Sequence, residues 1–372
     1  MPNRVSTFLL PYGLLATMIF FSCDSGSGGG GTDNFDRQAM LRNYADNLIK
    51  PAYIQLQNQT NVLHSAVEVF LTNPDPQTLT AVRDAWVSAY TDWQYANAYN
   101  FGPAGESGLR KGLIEEIGTF PASTAKIGAA ITAGAWNLED FNRDARGFLA
   151  VEYIIFGQNQ SIDGVVAALI ANAARRDYLL ALTENLRDRS NEVLTAWNGT
   201  YRNEFVQNDG TEAGSSTSQL YNEFVRSFET IKNFKLGLPL GKRPGQVQVE
   251  PQLVEAVYSG QSLTMLKNHL TAIENIWYGR SRSGQDGIGF REYLESVTGG
   301  NDLIASTEAQ LAAVKAALNA VPVSPSLSEQ ITGDKTQLEN LYTELQKMTR
   351  FFKSDMSSLL GIAITYSSGD GD

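Results

Sequence analysis

The chain has 372 residues, 42% hydrophobic and 19% charged, enough for about two domains of ordinary size, each burying its own core. Forty acidic residues against 29 basic ones give a formal charge of −11, which excludes a broad electrostatic attraction to nucleic acid phosphates. With two histidines and one cysteine, the chain has neither an internal disulfide nor a site needing three histidines of its own. CxxC, HExxH and P-loop signatures are all absent.

At the N-terminus, Arg4 precedes an apolar run from Phe8 to Phe21, the pattern of a secretory signal. Pro11, Tyr12 and Gly13 interrupt that run, which is too short and broken for a permanent membrane span. It ends in "FFSCDSGSGGGGTD", which resembles a bacterial lipoprotein signal with Ser22 before the cleavage point and Cys23 as the lipid acceptor. Residues 1–22 are therefore expected to be a signal peptide and 23–34 a flexible Gly/Ser-rich tether. Acyl chains on Cys23, not a helix, would hold the protein to the membrane.

From Phe35 onward apolar residues recur at helical spacing without sustained period-two alternation, so the predicted fold class is all-α. One long helix is predicted from Phe35 to about Asn73, kinked or interrupted at Pro51. "NPDP" then breaks the chain before a helix carrying Trp86, Tyr90, Trp93 and Asn97, which ends at "FGPAG". Residues 104–135 read as short helices and turns, followed by a helix over about Asn137–Phe156 and another over Asp163–Trp197. The polar, Gly/Ser-rich stretch Asn208–Gln219 is the candidate hinge between an N-terminal domain (35–210) and a C-terminal one (211–372). Further helices are predicted over 218–236, 263–278, 301–320 and 327–360, with Gly-rich loops at Lys235–Gly245 and Tyr278–Phe290.

The chemistry concentrates in "RGFLAVEYIIFG", Arg146 to Gly157, where Glu152 stands in an otherwise apolar run. On a helix, Phe148, Leu149, Ile155 and Phe156 lie three or four residues away on its own face. A carboxylate so placed needs a hydrogen bond, an ion pair or a metal, or its pKa rises. Either a structural bond to a neighbouring segment or a ligand-facing carboxylate meets that need. Gly147, lacking a Cβ, either permits close approach of another helix or a ligand or is only a local weakness of the helix. Trp86 and Trp93, seven residues apart, share a face and read as core or as an aromatic wall of a cleft. His64 and His269 read as packed or surface helical histidines, and the "GRSRSG" cluster as a solvated loop or an anion site.

"GFLAVEYIIFG" resembles the signature of the imelysin family (the M75 peptidases), in which Gly, any residue, His, two residues and Glu precede an apolar helix. "SAYTDWQYANAYNFGP", "KLGLPLG" and "NIWYGRSRSGQDGIGF" resemble other family segments, so the likeness spans most of the mature chain. A His and a Glu three apart on a helix share a face and hold one metal ion between them. Here Leu149 stands at the histidine position, and Asn97 stands where the resemblance leads us to expect an acidic residue.

The resemblance implies two helical-bundle domains of related architecture with a groove between them. It also implies a cell-envelope role in iron or haem acquisition, with iron, haem or an envelope protein as partner. Glu152, Gly147, Asn97, Trp86 and Trp93 are the expected ligand-binding residues, and Glu152 is the remaining ligand of a weakened metal site. Loss of the histidine disfavours the family's peptidase activity, since leucine coordinates no metal and asparagine is a weaker ligand than carboxylate. A metallopeptidase and a surface scaffold without a small ligand are the alternatives. The expected location is the outer membrane of a Gram-negative bacterium.

Overall fold

Asp36 opens the first helix by accepting the Ala39 amide proton, and from there the described chain is helices and their connections. The structure, a computed structural model, describes residues 35–106 and 112–366. Cys23, the signal and the tether lie outside them.

In the first half, α1 (Arg37–Asn43) runs through a π-helical segment (Tyr44–Ile49) into α2 (Lys50–Thr72), and α3 (Pro76–Ala96) follows. Two short helices, α4 (Leu113–Ile117) and α5 (Thr124–Ala133), lead to α6 (Phe148–Phe156). Then come α7 (Ile162–Ala171), α8 (Ala173–Asn198) and α9 (Tyr201–Gln207).

In the second half, α10 (Ser216–Thr230) continues into a π-helical segment (Ile231–Gly237), and α11 (Ser262–Tyr278) and α12 (Phe290–Glu295) come next. The last helices are α13 (Gly300–Ala320), α14 (Leu327–Thr332), α15 (Thr336–Thr349) and α16 (Met356–Leu360). No strand occurs among the described residues, and none of their helices is long and apolar enough to cross a membrane.

The core of the first half is α2 packed on α3 and α8. Tyr53, Leu56, Leu63, Val67 and Phe70 of α2 are fully buried there. Each such side chain contributes about 2 kcal/mol, so the stripe outweighs the roughly 3 kcal/mol cost of an interior proline. Pro51 accordingly does not break the helical run. It falls in the first turn after the π-helical segment, whose wider turn (Lys50 N–H to Ala45 C=O) takes up the irregularity. In the second half α13 packs on α15, α10 meets α11, and α11 also packs on α3. The described residues from Phe35 onward form one compact unit.

Several predicted helices are divided. The one expected over 137–156 starts only at Phe148, because Gly147 has φ 82° and ψ −170°, a conformation outside any helix. Arg146 before it is extended, and residues 143–145 make one 3₁₀ turn. The helix expected over 163–197 is split at Asn172, whose side chain caps α8 by accepting from the Arg175 amide. The one expected over 327–360 is split after Thr332 at Gly333. The polar stretch expected to run as loop to Gln219 ends earlier, with Ser215 capping α10.

Candidate functional site

Tyr90, Gln94 and Asn97 follow one another at helical spacing at the C-terminal end of α3, so they project from one face. All three are buried, and each has a polar partner from the second half of the chain. Tyr90 donates its hydroxyl proton to Glu255 Oε1 (2.7 Å), Lys235 Nζ donates to Gln94 Oε1 (2.5 Å), and Ser227 Oγ donates to Asn97 Oδ1 (2.9 Å). Lys235 Nζ also pairs with Glu255 Oε2 at 2.8 Å, and His269 Nε2 lies 2.7 Å from Ser227 Oγ.

Lys235 reaches this cluster from the π-helical segment after α10. The extra residue in such a turn re-aims the side chains that follow it, and these segments recur at functional sites. Burial pushes the Lys235 ammonium down while the Glu255 charge holds it up. Burial drives His269 well below its ordinary range, and the Lys235 charge adds to the effect, so the imidazole is neutral.

Glu255 is delivered by a loop in which Ala256 adopts φ 52°, a left-handed conformation that costs a non-glycine residue about 1 kcal/mol. Glu152 holds that loop. Its Oε1 accepts the Ser259 backbone N–H at 2.8 Å, and the ring of Tyr153 packs on Tyr258 with centroids 5.3 Å apart. Glu152 is 1% exposed. Burial raises its carboxyl to about 7, against the pull of the Ser259 hydrogen bonds and with a further push from the Glu255 charge.

Asn97, Ser227, Lys235, Glu255 and His269 are among the polar residues that line a cavity of about 430 Å³, with further glutamates and two arginines around them. Trp93 lines it from the first half of the chain and Phe234 from the second. Of the residues singled out in the sequence, Asn97 and Trp93 therefore stand at this cavity, while Glu152, Gly147 and Trp86 do not line it. Trp86 is fully buried with its Nε1–H donated to the Phe148 carbonyl at 2.8 Å. At Gly147 a Cβ would lie 2.4 Å from the Ile117 carbonyl oxygen, so the glycine serves the close approach of α4. Arg146 holds that approach by donating to Glu116 at 3.2 Å.

A larger groove, about 810 Å³, lies along α2, α3 and the loop after α11. Its guanidinium groups are already engaged within the chain: Arg282 with Asp92 (2.5 Å) and over the Tyr95 ring (4.0 Å), Arg280 with Glu274 (3.4 Å). "GRSRSG" thus supplies intramolecular pairs, and the smaller cavity is the one that gathers buried titratable groups.

The donor set does not fit a metal ion. Among the described residues no three His, Cys, Asp or Glu side chains come together at ligand spacing. Glu152 is occupied by an amide proton, Glu255 by Lys235 and Tyr90, and Leu149 is a buried apolar side chain on the same helix.

The sequence and its helical packing now bear on kinship. A family model described as imelysin, peptidase family M75, matches residues 49–350. The chain belongs to the imelysin family. Iron-regulated protein A of Synechococcus elongatus is 23% identical to this imelysin over 293 residues, covering 76% of the chain and 75% of the relative. Two crystal structures share the fold. A protein assigned as an iron-regulated protein A precursor from Parabacteroides distasonis has TM-score 0.71 at 17% identity, covering 90% of this chain and 97% of its own. An imelysin-like protein from Psychrobacter arcticum has TM-score 0.70 at 21% identity, with 89% and 97% covered.

Sequence reading passed over Lys235, Glu255, Ser227, Tyr90 and Gln94 as site residues and left His269 as a packed or surface helical residue. One signal was available: Glu255 in "QLVEAVY" is a lone carboxylate in an apolar run, as Glu152 is. Their meeting could not be read from sequence, since Glu255 and Tyr90 are 165 residues apart.

Proposed function

We propose that this imelysin is a non-catalytic envelope protein that binds a small ligand in the cavity between α3 and the Lys235–Glu255 pair, within a cellular response to iron. The cavity with its buried polar floor carries this reading, because its volume falls in the range of small-molecule sites, about 300–1,000 Å³. The iron link is supported by the relative named iron-regulated protein A, a name that tells when that protein is made and not what it binds. The membrane anchor at Cys23, and with it the outer-membrane location, rests on the lipoprotein-like signal.

Titration of the mature protein with haem and with ferric chelates, followed by absorbance and calorimetry, tests the ligand reading. Saturable binding weakened by substitutions at Asn97 or Lys235 supports it. Binding unaffected by cavity substitutions contradicts it. For the anchor, Cys23→Ala should move the protein from the membrane fraction to the soluble one, and continued membrane association would refute the lipid attachment.

Glu152 enters this reading as a positioning residue. It fixes Ser259, and through the intervening loop it fixes Glu255 against Lys235. A metallopeptidase would need ligands that the cluster does not supply.

A further inference from the structure

The larger groove, along α2, α3 and the loop after α11, keeps its charges in closed pairs and its free hydrogen-bonding groups uncharged. Four ionised side chains line it: Asp46, Asp92, Arg280 and Arg282. Arg202 holds Asp46 at 3.0 Å, Arg282 holds Asp92 at 2.5 Å, and Glu274 holds Arg280 at 3.4 Å. Each charge has its counter-charge within the chain, so a charged ligand meets no unpaired ion there.

Two lining side chains that are more than nine-tenths buried end in free polar groups. Tyr99 is 3% exposed, its ring set edge-on to Tyr53 with centroids 6.5 Å apart. Its hydroxyl has no hydrogen-bond partner among the described residues, yet it is not one of the polar atoms sealed from solvent, so the accessible remnant of this side chain is its polar end. Burial raises the phenol further, which keeps it a neutral hydroxyl. Asn275 is 8% exposed, and its Oδ1 accepts from Arg280 Nε at 3.3 Å. Arginine only donates, so this contact fixes the amide and leaves the Nδ2 protons on the side away from Arg280. They too have no partner among the described residues and are open to solvent. Gln55, Gln59 and Gln285 add carboxamides in the same condition.

A ligand matched to this lining is neutral and offers donors and acceptors side by side. A hydroxyl does both from one atom, and two adjacent hydroxyls of a sugar ring meet the N–H and the C=O of one carboxamide together. An extended peptide would need pockets for its alternate side chains, whereas the apolar lining here is aliphatic and mostly small, as at Ala52, Val87 and Ala272. The volume of about 810 Å³ suits a ligand of more than one ring.

We propose that this groove is a second ligand site, which binds a short neutral oligosaccharide through Tyr99, Asn275 and the three glutamines. It shares no lining residue with the Lys235–Glu255 cavity, so it stands or falls separately from the ligand reading given above. Soluble glucans and the acetamido glycans of cell walls carry the same hydroxyl pattern, and the probes separate the two.

The test is calorimetric titration with maltotriose, triacetylchitotriose, anionic trigalacturonate and the neutral peptide acetyl-trialanine amide, with the Asn275 side-chain amide followed by NMR. One of the two neutral sugars should bind saturably, at least about tenfold tighter than trigalacturonate or the peptide, and should move the Asn275 Nδ2 proton resonances. Tyr99→Phe keeps the buried ring and should weaken that binding about five- to tenfold, the loss of one hydrogen bond. Gln59→Ala, at a half-buried position on the helix surface, should weaken it by a similar factor, and it decides alone if Tyr99→Phe does not fold. Trigalacturonate binding as tightly as the neutral sugars would overturn the neutral class, and tighter binding of the peptide would overturn the saccharide. Binding of neither sugar, or sugar binding that leaves Asn275 unmoved and is indifferent to the substitutions, would overturn the site.

Discussion

Glu152 Oε1 accepts the Ser259 amide proton at 2.8 Å, so the one carboxylate left from the imelysin signature serves a loop of the second half of the chain. That loop carries Glu255 to Lys235, and the ion pair closes the floor of the cavity. A residue that resembles a metal ligand in sequence thereby acts on the cavity through Ser259 and Glu255.

Stability should depend on pH through Glu152. Its carboxyl is raised from 4.5 to about 7 in the folded protein, so between those values the folded state holds a proton that the unfolded state has released. Folding stability from this group is therefore greatest at low pH and falls as pH rises through that window, by up to about 3 kcal/mol. Glu152→Gln keeps an acceptor for Ser259 and removes the charge. Denaturation from pH 5 to 8 should show a flatter profile for the variant and greater stability than the parent at pH 8. A parallel profile would refute the assignment.

Lys235→Met leaves Glu255 buried without its cation and should cost about 3–5 kcal/mol. Adding Glu255→Gln removes the unpaired charge, and the double variant should regain most of the loss. Additive losses in urea melts would show that the two side chains do not act as a pair.

Two backbone positions should respond with opposite signs. Ala256 stands at φ 52°, and Ala256→Gly should stabilise the protein by about 1 kcal/mol. Gly147 stands at φ 82°, with the Ile117 carbonyl where a Cβ would go. Gly147→Ala should cost at least about 2 kcal/mol. Thermal melts of both variants check the pair, and an unchanged Gly147→Ala protein would contradict the close approach of α4.

Most of the architecture was legible because helical periodicity survives wherever one face is buried. The stripes of α2, α3, α11 and α13 were visible for that reason. What misled was treating apolar continuity as helical continuity. Leu138, Phe141 and Ala145 precede Gly147 at helical spacing in an otherwise polar stretch, but Gly147 takes a positive φ where Ile117 approaches closely, which periodicity does not report. Asn172 and Gly333 divided other predicted helices by local capping and turn chemistry. At the site, Trp93 could be picked out locally, because it shares a helix face with Trp86, and Asn97 through the family resemblance, because it stands where an acidic residue is expected. The partners of Tyr90, Gln94 and Asn97 come from the other half of the chain, so the cluster becomes visible only in the folded protein.

The central claim is that the signature carboxylate is bound to Ser259 and holds no metal. Metal content and calorimetric titration with Zn²⁺ and Fe²⁺, on the parent protein and on Glu152→Gln, test it most directly. The account predicts far less than one metal per chain and the same titration for both proteins. One tightly bound metal per chain, lost in Glu152→Gln, would contradict it.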